Sequence, residues 1–225
     1  MDYEKYRGTY SGLDKLALSK LFDILNSLEN NIRILEFGSG QSTQFLVDYK
    51  LYSNKNIIID SYDNDEKYCF QNSKKYHFLN LKIKPLISCS DETFNKQLNE
   101  KKYNREYFTP HKLLPYNHPN FWRQRNCFYD IDKQDLKEKY DLIIIDGPNG
   151  NGRNIAYLHI QDHIKSSSAI FIDDYNSHDN NYDYKFIDNL KNILNVEELY
   201  THTNLPLNNK TCWTDGGNFA IYKVI

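Results

Sequence analysis

Short runs of apolar residues alternate along this chain with longer stretches in which apolar residues recur at the spacing of a helix. The runs predict buried strands, and the stretches between them predict helices that pack on those strands. We predict strands at residues 32–37, 56–60, 81–87, 140–146, 168–173, 196–202 and 217–224. We predict helices at residues 13–29, 41–52, 65–76, 152–165 and 182–194. This alternation is typical of an α/β domain with a mainly parallel sheet.

The fourth predicted strand carries three consecutive isoleucines, Ile143, Ile144 and Ile145. A continuous apolar run of this kind is typical of a strand that is buried on both faces. With 225 residues the chain is long enough for one α/β domain with a substantial core, and we predict a single domain over residues 1–225.

Composition narrows the classes of partner. The formal net charge is -2, so no general positive field is present to hold a nucleic acid backbone. The four cysteines are far apart and lack the spacing of a metal site. The amino terminus lacks the apolar segment of a signal peptide, and no run approaches the ~20 apolar residues that span a bilayer. We therefore expect a cytoplasmic protein without nucleic acid or membrane partners, and the oligomeric state, a dimer included, stays open.

The segment 101–132 is longer than a connection into the fourth strand needs, and it is rich in aromatic and basic residues. Long segments of this kind in compact domains are often lids or binding loops, and an extra packed helix or a helix-capping flap is the alternative. Within it, His118, Trp122 and Arg123 could stack on a sugar ring or pair with a carboxylate, or could serve ordinary loop packing. We assign these three residues to substrate binding.

The first predicted strand ends in an acid, Glu36, and a turn with Gly38 and Gly40 follows it. Glycines in such a turn let a ligand lie against bare backbone, and the amino end of the next helix offers N–H groups to a carboxylate. Glu36 places a negative charge where an amine-bearing ligand could be held. Ser42 and Thr43 either cap the helix or contact the ligand. A nucleotide-type cofactor is the natural occupant.

A second acid is expected at the end of the second strand, where it would bind two ribose hydroxyls. Asp60 and Asp63 are the candidates, and we favour Asp63 because Asp60 still lies within the apolar run. A helix cap is the competing role for Asp63. Ser90 and Asp91 follow the third strand, where an adenine amino group would be met. Thr43 stands where a dinucleotide site needs a third glycine, which disfavours a dinucleotide.

Three carboxylates follow the next two strands. Asp146 ends the fourth strand, and Asp173 and Asp174 end the fifth. If these strands pair in register, about 4.8 Å apart, the carboxylates converge and suit a divalent cation such as Mg²⁺ or Mn²⁺. Such an ion would lower the pKa of an acceptor hydroxyl. Alternatively, Asp146 contacts only the cofactor or acts alone as a base, and Asp173 and Asp174 cap a turn.

Two further residues lie beside this predicted site. His178 could be a general base, and a solvated loop histidine is the alternative. Arg153 stands at the start of a predicted helix, where it could hold an acidic group of the substrate through two hydrogen bonds. Solvation on the helix surface is the alternative for Arg153.

Residues 34–43, Ile-Leu-Glu-Phe-Gly-Ser-Gly-Gln-Ser-Thr, resemble the first motif of class I S-adenosylmethionine-dependent methyltransferases. Residues 140–153, Tyr-Asp-Leu-Ile-Ile-Ile-Asp-Gly-Pro-Asn-Gly-Asn-Gly-Arg, resemble the fourth-strand motif of a subset of them. The resemblance spans residues 10–224. It implies a Rossmann-like α/β fold with a seven-stranded mixed sheet of order 3-2-1-4-5-7-6, strand 7 antiparallel, and helices on both faces.

The pattern Asp…Asp-Asp-Tyr is similar to that of metal-dependent sugar O-methyltransferases of antibiotic biosynthesis. Asp-Gly-Pro with a nearby Gly-Arg is similar to plant enzymes that methylate glucuronic acid on xylan. Neither likeness extends through residues 101–132. The resemblance therefore implies an S-adenosylmethionine-dependent O-methyltransferase that acts on a hydroxyl of a sugar, a glycan or another small molecule.

On this interpretation the cofactor-binding residues are Glu36, Gly38, Gly40, Ser42, Thr43, Asp63, Ser90, Asp91 and Asp146. Asp146 and His178 are the catalytic candidates, and Asp146, Asp173 and Asp174 are the metal ligands. One alternative is a metal-independent methyltransferase with Asp146 or a histidine as base. Another is a non-catalytic nucleotide-binding protein of the same fold. Amino-methylation of nucleic acid is disfavoured, because no aromatic residue follows Asp-Gly-Pro-Asn to stack on a flipped base.

Overall fold

A computed structural model describes residues 6, 13–67, 69–71, 73–112, 114, 118, 124–132, 134–136, 138–175, 178–179, 182–203 and 218–225. Of residues 178–179 and 182–183 it describes the backbone only.

The helices are α1 (Lys15–Ser27), α2 (Gln41–Tyr52), α3 (Asp91–Glu100), α4 (Ile155–Ile160) and α5 (Phe186–Ile193). Short 3-10 helices lie at Ser73–Lys75, Arg105–Tyr107 and Asn151–Asn154. The strands are β1 (Asn31–Phe37), β2 (Asn56–Asp63), β3 (Leu79–Ile83), β4 (Leu86–Ser88), β5 (Thr109–Pro110), β6 (Cys127–Tyr129), β7 (Tyr140–Ile145), β8 (Ile164–Asp173), β9 (His178–Asp179), β10 (Tyr182–Asp183), β11 (Val196–His202) and β12 (Phe219–Val224).

Seven strands form one sheet in the order β11-β12-β8-β7-β1-β2-β3. The neighbours from β8 to β3 pair in parallel, and β12 runs antiparallel to both β8 and β11. β7 and β8 are the fourth and fifth predicted strands, and β11 and β12 are the sixth and seventh. The predicted order 3-2-1-4-5-7-6 and the predicted antiparallel seventh strand are therefore confirmed.

The central strand β7 is buried on both faces of the sheet. Ile143 and Ile145 pack with residues of α3, α4 and α5 on one face. Leu142 and Ile144 pack with residues of α1 and α2 on the other face. Because successive side chains of a strand point to opposite faces, the continuous apolar run of β7 serves two cores. The result is a three-layer arrangement of helices, sheet and helices.

The predicted helix over 65–76 is wrong. The described residues between β2 and β3 form turns and the short helix Ser73–Lys75. Asp63 accepts hydrogen bonds from the backbone N–H groups of Asn64 and Asp65, and Asp65 accepts one from Lys67. Such local bonds from aspartate to the following backbone compete with a helix.

The predicted third strand over 81–87 is divided into two strands. β3 ends at Ile83, and β4 begins at Leu86 in a separate three-stranded sheet of order β5-β4-β6. Pro85 lies between them and has no N–H to donate to a strand ladder, so the chain leaves the main sheet there. The polar pattern alone did not show this division.

Part of the predicted insertion 101–132 is packed structure. Phe108 and all three residues of β6, Cys127, Phe128 and Tyr129, are buried in the core beside α3 and α4. These residues are therefore part of the core, although Cys127–Tyr129 form a strand rather than the extra helix that the sequence left open. A role of the remaining segment as a lid stays a prediction.

Other helices and strands begin or end a few residues away from their predicted bounds. α4 ends at Ile160 and β8 begins at Ile164, so the helix predicted over 152–165 is shorter and the fifth strand is longer. α5 begins at Phe186, because Tyr182–Asp183 form strand β10 instead. In the part of the chain that the structure describes, no helix has the length and apolarity to cross a membrane.

Candidate functional site

The carboxyl ends of β1, β2, β7 and β8 lie side by side at one edge of the sheet. Phe37 pairs with Ile145 across β1 and β7, and Ile145 pairs with Ile172 across β7 and β8. The backbone N–H of Asp146 donates to the carbonyl of Phe37 at 2.8 Å. The chain leaves β1 towards β2 and leaves β7 towards β8, on opposite sides of this point. Such a switch point is where open α/β sheets bind ligands.

Position 38 requires a glycine because the loop after β7 lies directly against it. The φ of Gly38 is +98°, and a Cβ there would lie 2.8 Å from the backbone nitrogen of Gly147 and 2.9 Å from the carbonyl carbon of Asp146. Its own N–H donates to the carbonyl of Tyr62 at 2.8 Å. The glycine turn therefore joins the ends of β1, β2 and β7. It could also let a ligand lie against its bare backbone.

Glu36 is fully buried and is held by hydroxyl groups. Its Oε2 accepts hydrogen bonds from Thr43 Oγ1 and Ser61 Oγ, each at 2.6 Å. Burial raises the pKa of Glu36 to about 7, although the hydroxyls of Ser61, Thr43 and Ser42 oppose the shift. Glu36 Oε1 is buried and makes no hydrogen bond within the described part of the chain.

Thr43 caps the start of α2. Its Oγ1 accepts a hydrogen bond from the backbone N–H of Gly40 at 2.9 Å and lies 3.0 Å from Ser39 Oγ. The capping role that the sequence left open therefore applies to Thr43. Ser42 is buried beside it.

Asp63 joins the end of β2 to the glycine turn. Its Oδ2 accepts a hydrogen bond from the backbone N–H of Ser39 at 2.9 Å, and its Oδ1 accepts from Asn64 and Asp65. Burial raises the pKa of Asp63, opposed by these backbone bonds. Asp60, the other candidate, accepts from Tyr140 Oη at 2.9 Å within the sheet. Asp63 is thus the acid at the switch-point edge.

Ser90 and Asp91 begin α3, after the strand of the small sheet. Ser90 Oγ accepts from the backbone N–H of Thr93 at 3.2 Å, as an N-cap does. Asp91 accepts from Asn126 Nδ2 at 2.6 Å and lies 3.3 Å from Arg125. Both residues have structural roles here, and adenine binding by them stays a prediction.

Asp146 and Asp173 lie at the carboxyl ends of the neighbouring strands β7 and β8. Burial raises the pKa of both side chains, and the neighbouring Asp174 adds to the shift. The interaction between the two side chains favours the charged form of Asp146 and the neutral form of Asp173. Both side chains are half-buried, and neighbouring carboxylates disfavour each other's ionisation.

Arg153 is buried beside this pair. Its Nε donates to the carbonyl of Pro148 at 3.0 Å, and its Nη1 donates to the carbonyl of Asp173 at 2.9 Å. Its Nη2 lies 3.7 Å from Asp146 Oδ1, and its Nη1 lies 3.7 Å from Asp174 Oδ2. The alternative of a solvated surface arginine is wrong. Contact of Arg153 with an acidic substrate group stays a prediction. Its Nε and Nη1 already donate to carbonyls of the protein itself.

The predicted divalent cation is not supported. Strands β7 and β8 pair as predicted and bring Asp146, Asp173 and Asp174 to one edge. Across the described residues, however, no three His, Cys, Asp or Glu side chains are grouped so as to hold a metal ion. The guanidinium of Arg153 already supplies a positive charge among these acids. The residues present therefore do not fit the predicted metal.

The loop after β7 packs tightly on the end of the insertion. A Cβ at Gly147 would meet the Tyr129 hydroxyl, and Cβ atoms at Gly150 and Gly152 would meet the carbonyls of Gln124 and Cys127. Sequence analysis missed Tyr129 as a residue of this site. Burial raises the pKa of its phenol, the charges of Asp63 and Asp146 raise it further, and the charge of Arg153 opposes the shift. The run Cys-Phe-Tyr, at residues 127–129, was the available signal for a short buried strand.

The remaining candidates are placed only in part. His178 lies in β9, and its side chain is outside the described residues, as are Trp122 and Arg123. His118 is exposed. Their catalytic and substrate-binding roles stay predictions.

No protein-family model and no curated protein matches the chain. Solved structures do match it. The O-methyltransferase from Bacillus cereus in complex with SAH is 12% identical, with 97% of this chain and 84% of that chain covered and a TM-score of 0.51. A protein provisionally named an rRNA-methylase, from Clostridium thermocellum, is also 12% identical, with 93% and 97% covered and a TM-score of 0.50. The chain thus has the Rossmann-like fold that these two proteins share.

Proposed function

We propose that this protein is an S-adenosylmethionine-dependent O-methyltransferase that acts on a hydroxyl of a sugar, a glycan or another small molecule. The observation that carries the proposal is the meeting of the glycine turn, Asp63 and Asp146 at the switch point of a sheet of this topology. The protein of the same fold from Bacillus cereus is described as an O-methyltransferase in complex with SAH, which supports it.

The residues at the switch point fit the cofactor. Glu36 Oε1 is a buried acceptor with no hydrogen bond in the described structure, which suits an amino group. The amino end of α2, which begins after Gly40, suits a carboxylate. Within the residues that the structure describes, Asp63 Oδ2 accepts one bond, from Ser39, and retains acceptor capacity for a ribose hydroxyl. Gly38, Ser42, Thr43, Ser90 and Asp91 complete the proposed cofactor-binding set.

When bound, S-adenosylmethionine supplies a methyl group on a positively charged sulfur, which keeps the bonding electrons when the methyl group leaves. The acceptor hydroxyl must lose a proton, and Asp146 is the group at this edge that is best placed to accept it. The neutral form of Asp173 favours the charged form of Asp146 beside it. His178 stays the second candidate base.

We propose an acceptor without a phosphate backbone. The net charge of -2 disfavours a nucleic acid as the acceptor, although the Clostridium thermocellum protein is provisionally named an rRNA-methylase. Salt-sensitive binding of RNA to this chain would overturn this part of the proposal. A cytoplasmic location and contacts of His118, Trp122, Arg123 and Arg153 with the acceptor belong to the same proposal.

Isothermal titration with S-adenosylhomocysteine tests the cofactor site. We expect the wild-type protein to bind it and Asp63→Asn to bind it at least about 10-fold more weakly, because the variant loses a charged acceptor. Asp65→Asn is the matched control, since Asp65 lies in the same turn and its side chain accepts a hydrogen bond from the backbone N–H of Lys67 rather than from the glycine turn. A wild-type protein without measurable affinity would contradict the proposal.

A screen of acceptors with a labelled methyl donor tests the reaction. We expect label in a sugar, glycan or small hydroxylated compound, and analysis of the product should place the methyl group on oxygen. Methyl groups on nitrogen or carbon would refute O-methyl transfer. Binding of the cofactor with no transfer to any acceptor would favour the non-catalytic alternative.

A further inference from the structure

Arg153 is a cation that the fold itself places among the acids at the ends of β7 and β8. Its side chain is 6% exposed. It donates to two carbonyls, Pro148 in the loop after β7 and Asp173 at the end of β8. The two bonds use different nitrogens of one planar group, so the guanidinium is held between the two strand ends.

The guanidinium lies near two carboxylates, one at each of its terminal nitrogens. Nη2 lies 3.7 Å from Asp146 and Nη1 lies 3.7 Å from Asp174. An opposite charge at this distance stabilises the ionised carboxylate. A divalent cation at the same place would be repelled by Arg153 and would compete with it for the same oxygens.

The local chain is built to admit Arg153 at this depth. Residue 152 is glycine, and a Cβ there would meet the carbonyl of Cys127. The backbone just before Arg153 therefore lies directly against β6, and this brings the arginine into the core. Lysine would deliver one ammonium group and could not make both carbonyl bonds with a planar fork.

We propose that Arg153 replaces a divalent cation in this site: it is a positioning residue that holds Asp146 for the proton of the acceptor, so that methyl transfer proceeds without a metal ion. The inference rests on the proposed function and assigns the source of positive charge within that site.

Metal titration and chelation of the wild-type protein are the first test. We expect no stoichiometric binding of Mn²⁺, measured by electron paramagnetic resonance, and full methyl transfer after dialysis against EDTA. One bound Mn²⁺ per chain, together with activity that EDTA abolishes and Mn²⁺ restores, would overturn the inference. These measurements need no variant and do not depend on how a variant folds.

Variants give the second test. Arg153→Gln should lower kcat about 100-fold, the size of loss that a misplaced catalytic group causes. Freed of the guanidinium, the carboxylates should now bind Mn²⁺, and Mn²⁺ should restore part of the lost kcat. Arg153→Lys should retain more activity than Arg153→Gln. An unchanged kcat in Arg153→Gln would refute the positioning role.

Arg105→Gln is the matched control, because Arg105 also forms a partly buried pair, with Asp130 at 2.5 Å, but outside this site. It should lower stability without creating Mn²⁺ binding. A wild-type protein that binds no S-adenosylhomocysteine would overturn the proposed function itself. Stoichiometric Mn²⁺ required by a protein that does bind S-adenosylhomocysteine would overturn only the role of Arg153.

Discussion

Buried ionisable residues gather at one edge of this sheet and each has a partner that explains its burial. Glu36 is held by two hydroxyls, Asp63 by three backbone N–H groups, and the half-buried Asp146 lies 3.7 Å from the buried Arg153. A buried charge without such partners is costly, so this density of acids is unusual in a core. Perturbed acids in one place are typical of a functional site.

Glu36 should make stability depend on pH. Its pKa is about 7 in the folded protein against 4.5 ordinarily, so the folded state binds the proton more tightly than the unfolded state. Its contribution to stability is complete below pH 4.5 and is lost as pH rises through about 7, a loss of roughly 3 kcal/mol. Glu36→Gln, neutral at every pH, should gain stability relative to the wild type over that interval.

Urea unfolding of both proteins at several pH values measures this difference. Glu29→Gln, at an exposed position, is the control and should follow the wild-type pH dependence. Parallel profiles for Glu36→Gln and the wild type would refute the raised pKa.

At the scale of elements, the loop after β7 is held by β6 and the residues before it. Asn126 and Asn151 exchange two hydrogen bonds: the Asn126 backbone N–H donates to Asn151 Oδ1 at 2.6 Å, and Asn151 Nδ2 donates to Asn126 Oδ1 at 2.7 Å. Asn126 Nδ2 continues the network to Asp91 at the start of α3. The loop that carries Asp146 and Arg153 is thereby attached to the small sheet.

Asn151→Ala should destabilise the protein by about 1–3 kcal/mol, because it leaves a buried donor and acceptor of Asn126 unpaired. Asn126→Ala in the same background should cost less than it does alone, since the two residues share the bonds. Asn151→Asp retains the acceptor oxygen and should be milder than Asn151→Ala. Urea unfolding of the wild type, the two alanine variants and the double alanine variant measures the coupling, and strictly additive effects would show that the exchange contributes nothing.

At the scale of the whole molecule, stability depends on a sheet that is covered on both faces near its centre and open at its edges. Ile144 in β7 is fully buried, whereas Leu199 in the edge strand β11 is 51% exposed. β7 also contributes side chains to both hydrophobic cores. The switch-point edge therefore lies at the end of a strand that is buried on both faces.

Ile144→Ala should lower the free energy of unfolding by about 2–5 kcal/mol, as expected for a cavity in a packed core. Leu199→Ala is the matched control and should change it by about 0.5 kcal/mol or less. Chemical denaturation measures both. Equal losses would contradict the assignment of β7 to the centre of the sheet and β11 to its edge.

Sequence analysis predicted the seven strands of the main sheet, their order through the family resemblance, and the acids at the strand ends. Glu36, Asp63 and Asp146 could be found because each follows or ends a buried apolar run. The helix over 65–76 failed because the hydrogen bonds of Asp63 and Asp65 decide that turn. The predicted metal site is not supported, because the Arg153 guanidinium lies among these acids and the sequence could not show where that side chain points.

The sequence by itself determined which segments become strands and helices, because apolar spacing acts over a few neighbouring residues. Only the tertiary structure decided which side chains meet at the strand ends. The glycines at 147 and 152 are local features, but their purpose is contact with Tyr129 and Cys127, far away along the chain. The burial of Arg153 between β7 and β8 likewise depends on two strands that come together only when the sheet forms.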